Sequence, residues 1–272
     1  MKNIHRVICF DLDGTLLDHD ERIRPGDIEI LKDQPEGTLF IPASGRSLAS
    51  VQDIFYGHGL FRGTSLPYPL VLQNGAITYL PGEKLLNSKV FEPDVQAQLV
   101  EIVSQFTELP FFMVTTTHHY VLHPNSHTRQ TSRKYNFVDG DFTASRRKVP
   151  LTKIMAISKD IAPLKELDRQ VSLLPVESAF SLPTIYEITP LGANKGAALL
   201  DLLKALQVPD GVEILAAGDG ENDLPLFPVA TRSYAPVNAA ARIQQAADAT
   251  IIPQEDGLIA AMLAEYSDHL GG

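Results

Sequence analysis

The sequence predicts an α/β fold, with a doubly wound parallel sheet as its core and a smaller α/β domain inserted into that core. Strand and helix patterns alternate at both ends of the chain, and several apolar runs end at small or acidic residues. Such alternation favours a parallel sheet with helices on both faces. Between about residues 82 and 186 the pattern changes. We therefore expect a core of residues 1–81 and 187–272 and an inserted domain of residues 82–186.

The first third of the chain supplies the opening elements of the core. RVICF (6–10) is a short apolar run that predicts a strand buried on both faces, and GTLFIPAS (37–44) predicts a second one. RPGDIEILKDQ (24–34) and GRSLASVQDIF (45–55) have helical spacing. PLVLQNGAITYL (69–80) alternates on either side of Asn74-Gly75, which predicts a hairpin turn.

The rest of the chain is interpreted in the same way. In the inserted domain the patterns predict a helix at 93–106, a strand pair at 110–123, a strand at 148–158, a helix at 160–174 and a strand at 183–190. The core then resumes with a helix in NKGAALLDLLKAL (194–206), strands in VEILAAGDG (212–220) and RSYAPV (232–237), and a helix in NAAARIQQAA (238–247).

Composition and charge exclude several classes of function. The formal net charge of −10 argues against a nucleic-acid partner. No apolar stretch is long and clean enough to predict a transmembrane helix, and no obligate protein partner is evident. Cys9 is the only cysteine, so there is no disulfide framework, and a reducing, cytoplasmic location is expected.

Four stations place small or polar residues directly at a strand end or a helix start. They are DLDGT (11–15), ASGR (43–46), NKG (194–196) and GDGEND (218–223). Because ligands of parallel α/β sheets bind at the carboxyl ends of the strands, these stations could meet in one crevice. Asp11, Asp13, Asp219 and Asp223 would then require a cation, and oxygen ligands suit Mg²⁺.

The same stations offer a route for phosphoryl transfer. Ser44, the Gly45 N–H and Lys195 could hold phosphoryl oxygens. One carboxylate could attack phosphorus, and Asp13 could carry the proton to the leaving group and later take one from water. These residues are therefore compatible with a phosphorylated substrate.

The ordered motifs resemble the haloacid dehalogenase-like phosphatases, and specifically the Cof-type subgroup with an α/β cap. The resemblance covers DLDGTLL, ASGR, NGA, NKGAAL, GDGENDLPLF and DATIIPQEDGL, which together span the chain. It implies a Rossmann-like core, an aspartyl-phosphate intermediate and a small phosphorylated metabolite as the partner, with sugar phosphates as the first substrates to consider. The cap in this subgroup lies between the second and third stations, where this chain has its long insert.

The resemblance also implies a role for each station residue. Asp11 would be the nucleophile and Asp13 the general acid and base, oriented by Thr15. Ser44 and Lys195 would bind the phosphoryl group, and Mg²⁺ would take the Asp11 carboxylate, the Asp13 carbonyl and Asp219. Asn222 and Asp223 would complete the phosphate and metal surroundings, and Asp223 would also orient Lys195. The chain departs from the family at YAPVN (234–238), where a glycine-containing strand end is usual.

Several interpretations stay open at this stage. Arg46 could touch substrate or only cover the helix surface, and Asn74-Gly75 could be a plain turn or one that aims Asn74 into the crevice. His118, His119, His123 and His127 suggest zinc, but no cysteine lies nearby, and the preferred interpretation is that they are polar residues on the surface of a hairpin and loop. The basic residues of the insert are expected to be solvated, with one or two able to select an anionic substrate (Arg129, Arg133, Arg146, Arg147 and Lys148). The alternatives to a phosphatase are a phosphosugar mutase and a catalytically silent regulatory binding protein.

Overall fold

In the computed structural model, which describes residues 4–125, 128, 140–253 and 256–271, the chain divides into two compact units. Unit 1 comprises residues 1–86 and 195–272, and unit 2 comprises residues 87–194. The domain limits expected from the sequence lie a few residues earlier at both junctions. The expected limit at 186/187 falls inside a strand that runs from Ile185 to Pro190 and pairs within unit 2.

The described residues form strands and α-helices, which are numbered separately in chain order. The strands are β1 (Arg6–Phe10), β2 (Thr38–Pro42), β3 (Leu70–Leu72), β4 (Ile77–Leu80), β5 (Lys84–Ser88), β6 (Phe111–Val114), β7 (His119–Leu122), β8 (Lys153–Ile157), β9 (Val176–Leu182), β10 (Ile185–Pro190), β11 (Glu213–Ala217), β12 (Arg232–Pro236) and β13 (Ala249–Ile251). The α-helices are α1 (Pro25–Lys32), α2 (Leu48–Gly57), α3 (Pro93–Gln105), α4 (Ile161–Val171), α5 (Lys195–Ala205), α6 (Ala241–Ala246) and α7 (Leu258–Gly271).

The core of unit 1 is a parallel sheet in the order β13-β12-β11-β1-β2. Side chains of β1 alternate between two apolar clusters. Ile8 and Phe10 pack on one face, whereas Val7 and Cys9 pack on the other. A strand covered on both faces is typical of a doubly wound sheet. The predicted fold class is confirmed.

A small antiparallel sheet, β3-β4-β5, adjoins the core. Its first two strands confirm the predicted strand pair, but the turn differs from a two-residue hairpin. Leu72 pairs with Ile77, and residues 73–75 form a single 3₁₀ turn. Gln73 (φ 50°) and Asn74 (φ 58°) both adopt left-handed backbone. This turn directs the Asn74 backbone toward the core, because its N–H donates to the carbonyl of Ser44 (3.1 Å).

Unit 2 contains an antiparallel sheet in the order β7-β6-β8-β10-β9. One sheet face and helices α3 and α4 form a shared apolar cluster, with Leu99 and Val103 of α3 and Leu164 and Leu167 of α4 fully buried. Strand β9 was not predicted, because Val176–Leu182 mixes apolar and polar residues without a clear two-residue period. Among the residues that the structure describes, no helix is long and apolar enough to cross a membrane.

Asp27 joins the N-terminal and C-terminal helices of unit 1. Its side chain is buried, and its two carboxylate oxygens accept the backbone N–H groups of Leu258 (2.8 Å) and Ile259 (2.9 Å) at the start of α7. Gly257 has φ +98°, and a Cβ there would lie 2.3 Å from the Asp27 carboxyl carbon. Only glycine therefore fits at this position. Burial raises the pKa of Asp27 to about 6, against the hydrogen bonds that lower it.

We expect Asp27→Ala to lower the free energy of unfolding by about 2 to 4 kcal/mol, because two buried N–H groups lose their acceptor. Asp27→Asn keeps an acceptor and is expected to cost less. The raised pKa of Asp27 determines how the free energy of unfolding changes with pH. Because folding favours the neutral carboxyl, the part of the Asp27 contribution that depends on its protonation is fully present below the ordinary pKa of 3.8 and is lost as pH rises through about 6. Urea unfolding at pH 7 and pH 5 should therefore show the advantage of the wild type over Asp27→Asn growing toward acid; an unchanged difference would contradict this.

Candidate active site

Asp11 lies directly beyond the carboxyl end of β1, as the sequence predicts. Its backbone N–H donates to the carbonyl of Ala217, the last residue of the neighbouring β11 (3.0 Å). Its side chain is buried, and burial raises the pKa of Asp11 well above its usual range, although the nearby charge of Lys195 opposes the rise. A carboxylate in this position needs positive charge beside it.

Lys195 supplies part of that charge from the first residue of α5. Its Nζ donates to Oδ1 of Asp11 (2.6 Å) and to Oδ1 of Asp223 (2.5 Å), and its side chain is fully buried. Burial alone would lower the pKa of Lys195, but the charges and hydrogen bonds of Asp11 and Asp223 raise it above its ordinary value. The ammonium group is therefore retained, and the third and fourth stations meet the first one here.

Asp223 holds the loop of the fourth station (218–223) in place through hydrogen bonds. Its Oδ2 accepts the backbone N–H groups of Asp219 and Gly220 (3.0 Å each), while its Oδ1 accepts Lys195. Both oxygens thus have partners within the protein. The expected orientation of Lys195 by Asp223 agrees with this geometry, whereas a metal would compete with these three donors.

Asp219 lies beside the glycine of the first station. A Cβ on Gly14 (φ +77°) would lie 2.2 Å from an Asp219 carboxylate oxygen, so a larger residue there would strain the backbone and displace the Asp219 carboxylate. The Thr15 hydroxyl donates to Oδ1 of Asp219 (3.3 Å). The sequence assigned Thr15 to Asp13, and the contact to Asp219 was not foreseen. Burial, followed by the charge of Asp223, raises the pKa of Asp219 to about 7.

Three carboxylates form the acidic group that fits a cation. One oxygen each of Asp11, Asp219 and Asp223 lies within 4.8 Å of the others. Hard oxygen ligands of this kind suit Mg²⁺. Because Asp223 is already engaged, Asp11 and Asp219 are the carboxylates best placed to hold the ion. The Asp13 carboxylate lies outside this group of three, which leaves only its carbonyl for the predicted metal contact.

The Asp13 carboxylate is instead bound by Arg46. Nε of Arg46 donates to Oδ2 (2.7 Å) and Nη2 donates to Oδ1 (2.6 Å). Neither role considered for Arg46 in the sequence, a substrate contact or surface cover, included this pairing. The available signal is the position of Arg46 directly after a buried strand, because a buried guanidinium group needs acceptors and the carboxylates of the other stations are the charged ones expected nearby.

The remaining predicted residues come from the second station and the 3₁₀ turn. Ser44 is buried, its N–H donates to the carbonyl of Val71 (2.8 Å), and its Oγ accepts the N–H of Arg46 (3.2 Å). Gly45 stands between them in the chain. The side chain of Asn222 donates to Oδ1 of Asn74 (3.1 Å), which joins the turn to the last station. The structure therefore brings all four stations and Asn74 into one contact network of unit 1.

Asn238 also joins this network, which the sequence did not predict. The side chain of Asn238 donates to the carbonyl of Gly14 (2.9 Å). Asn238 follows YAPV, the segment in which the chain departs from the family pattern. Although YAPV lacks the usual glycine, Asn238 still contacts Gly14 of the first station.

The histidines of the insert do not form a metal group among the residues that the structure describes. His118 stacks on Tyr120, His123 packs edge-on against Phe111, and His119 is buried, which lowers its pKa to about 4. Arg146 lies over the ring of Tyr120 (4.4 Å), and Arg147 and Lys148 are exposed. His127, Arg129 and Arg133 lie outside the described residues.

Comparison with known proteins gives one consistent result. A family model described as haloacid dehalogenase-like hydrolase matches residues 8–263. An uncharacterized hydrolase of Schizosaccharomyces pombe is 26% identical and covers 86% of this chain and 81% of its own. A phosphoglycolate phosphatase of Haloarcula marismortui is 24% identical and covers 96% and 97%. A solved HAD subclass IIB sugar phosphatase is similar with a TM-score of 0.77 and 18% identity, covering 98% and 99%.

Proposed function

The chain belongs to the haloacid dehalogenase-like hydrolase family and is a phosphatase of that family, and from this premise we propose that it is a Mg²⁺-dependent phosphatase of small phosphorylated metabolites, sugar phosphates first. The motif resemblance to the Cof-type subgroup is confirmed by the family match.

One observation carries the proposal: Lys195 lies between the buried side chains of Asp11 and Asp223, and the half-buried Asp219 completes an acidic group at the strand ends. A single ammonium group cannot balance three carboxylates. The residues therefore fit a divalent cation, and Asp11 and Asp219 would hold it. When bound, the ion would draw negative charge from the phosphoryl oxygens and make phosphorus easier to attack.

The residues of the site then divide the reaction into two steps. An oxygen of Asp11 attacks phosphorus, and the bond from phosphorus to the ester oxygen breaks as Asp13 gives that oxygen a proton. Water next attacks phosphorus of the aspartyl phosphate, and Asp13 takes its proton as the bond to Asp11 breaks. Lys195 and Ser44 would hold phosphoryl oxygens throughout. Free phosphate and the original carboxylate of Asp11 are the products.

Relatives support the substrate class in general terms. The curated protein from Haloarcula marismortui is a phosphoglycolate phosphatase, and the structural neighbour is a sugar phosphatase. Both substrates are small phosphate monoesters. A phosphosugar mutase would use the same first step but return the phosphoryl group to a sugar.

We expect a screen of phosphorylated metabolites to release inorganic phosphate only when a divalent cation is present, with Mg²⁺ restoring activity after EDTA treatment. The reason is the surplus of negative charge at Asp11, Asp219 and Asp223. The assay is phosphate release with and without added Mg²⁺. Full activity in EDTA would contradict the metal requirement. Product that appears only as an isomeric sugar phosphate, and only with a sugar bisphosphate present, would favour the mutase.

A further inference from the structure

Arg46 has a charged side chain that is almost completely buried. Its side chain is only 4% exposed, whereas the side chain of its partner Asp13 is 40% exposed. The guanidinium group therefore lies behind the carboxylate, away from solvent. A ligand that approaches from solvent would meet Asp13 before it met Arg46.

The guanidinium group of Arg46 contacts Asp13 and Ser50. Two N–H groups point at the two oxygens of Asp13 (2.7 and 2.6 Å), and Nη1 donates to Oγ of Ser50 in α2 (2.9 Å). A two-point contact of this kind sets the direction of a carboxylate as well as its charge. Glu21 is a second acid nearby, at 4.0 Å from Nη2 and 44% exposed.

The backbone of Arg46 is equally well held. Its N–H donates to Oγ of Ser44 (3.2 Å), and its carbonyl accepts the N–H of Gln73 (3.2 Å). The same residue thus connects the strand end that carries Ser44, the turn that carries Asn74 and the helix that carries Ser50. The loop that carries Asp13 is held separately, by backbone hydrogen bonds such as that from the N–H of Leu17 to the carbonyl of Leu12 (2.8 Å) and by the contact of Asn238 with the carbonyl of Gly14 (2.9 Å).

We propose that Arg46 is a positioning residue that fixes the direction of the Asp13 carboxylate for proton transfer, rather than a residue that binds the phosphoryl group. The proposal rests on the proposed function, because it gives Arg46 its role through Asp13. A misplacement of about 1 Å in a catalytic group can cost about 10²-fold in rate, so loss of the fork is enough for a large effect. Ser44 and Lys195 remain the phosphate-binding residues.

The test is a double-mutant cycle with Arg46→Gln and Asp13→Asn, assayed with Mg²⁺ on the best sugar phosphate of the screen. We expect Arg46→Gln alone to lower kcat about 10- to 100-fold with little change in KM. Adding it to Asp13→Asn should lower kcat by less than about threefold further, because its target is already gone. The initial nitrophenol burst from nitrophenyl phosphate should persist, since that leaving group needs no proton.

Arg232→Gln is the matched control for loss of an arginine fork, because Arg232 binds both oxygens of Glu265 with Nε and Nη2. It should leave kcat unchanged. Arg46→Lys keeps the positive charge but loses the two-point bond to Asp13, so it should not restore kcat. If Arg46→Gln does not fold, Arg46→Lys takes its place in the cycle. Losses that multiply in the double variant, or a raised KM at unchanged kcat, would overturn the positioning role while leaving the phosphatase intact. A wild type inactive on every ester tested would overturn both proposals.

Discussion

Asp11→Asn is expected to reduce turnover of every phosphate ester by about 10⁴-fold or more, since the reaction loses its nucleophile. The variant should show no burst of nitrophenol and no acid-trapped phosphoprotein. The amide keeps the size of the side chain, and Lys195 keeps its bond to Asp223, so the fold should be retained. Rapid-quench kinetics with labelled substrate measure both quantities.

Asp13→Asn provides the contrast, because its side chain is the proton carrier and not the nucleophile. Sugar-phosphate turnover should fall by about 10² to 10⁴-fold, the usual contribution of general acid–base catalysis. The nitrophenol burst should remain and phosphoenzyme should accumulate, because water attack is slowed. Equal bursts from the two variants would contradict the assignment of roles. A deep loss of the burst in Asp13→Asn would do so too, provided that metal binding is unchanged.

Lys195→Met is the second change with a large expected effect. It leaves Asp11 and Asp223 buried together without their shared cation, and breaking a buried pair in this way costs about 3 to 5 kcal/mol. Phosphatase activity should also be lost. Urea unfolding at pH 7 measures the first effect, and phosphate release measures the second.

The pH dependence of this variant has a definite sign. Lys195 opposes the rise that burial causes in the pKa of Asp11, so its removal raises that pKa further. A group whose pKa is raised by folding contributes stability at low pH and loses it as pH rises. The deficit of Lys195→Met relative to wild type should therefore shrink as pH falls from 8 to 5. A constant deficit over that range would show that packing, and not charge, is the cause. Leu203→Met, a volume-conserving change in the same helix, controls for substitution in α5.

The sequence allowed four strands of the core sheet and the four stations to be predicted, because both depend on local patterns, whereas the three-residue edge strand Ala249–Ile251 was not predicted. RVICF and VEILAAGDG are continuous apolar runs that end at acidic or small residues, and their strands are observed at Arg6–Phe10 and Glu213–Ala217. Strand Lys84–Ser88 was missed, since its residues are partly exposed and its pattern is mixed. The turn at Asn74 was predicted as a hairpin, yet tertiary contacts with Ser44 hold it as a 3₁₀ turn instead.

Side-chain pairing within the site was harder to predict. Thr15 reaches Asp219, and Arg46 reaches Asp13, across long stretches of chain. Periodicity shows which face of an element is buried but not which polar atoms meet there. Arg46 illustrates the difference: its location after β2 was predicted, while its two-point bond to Asp13 required the coordinates.

Unit 1 is formed by two separate stretches of the chain, residues 1–86 and 195–272, and this affects the order in which the two units can fold during synthesis. Strand β1 lies in the centre of the core sheet, and Arg6 meets Glu213 of β11 across 207 residues of chain. At about 5 to 20 residues per second, a ribosome needs roughly 10 to 40 s to make that interval. Unit 2 emerges complete within it, and β1 has only β2 as a sheet neighbour until β11 appears. We therefore expect the nascent chain to form unit 2 first and to close the core sheet late, when β11 pairs with β1.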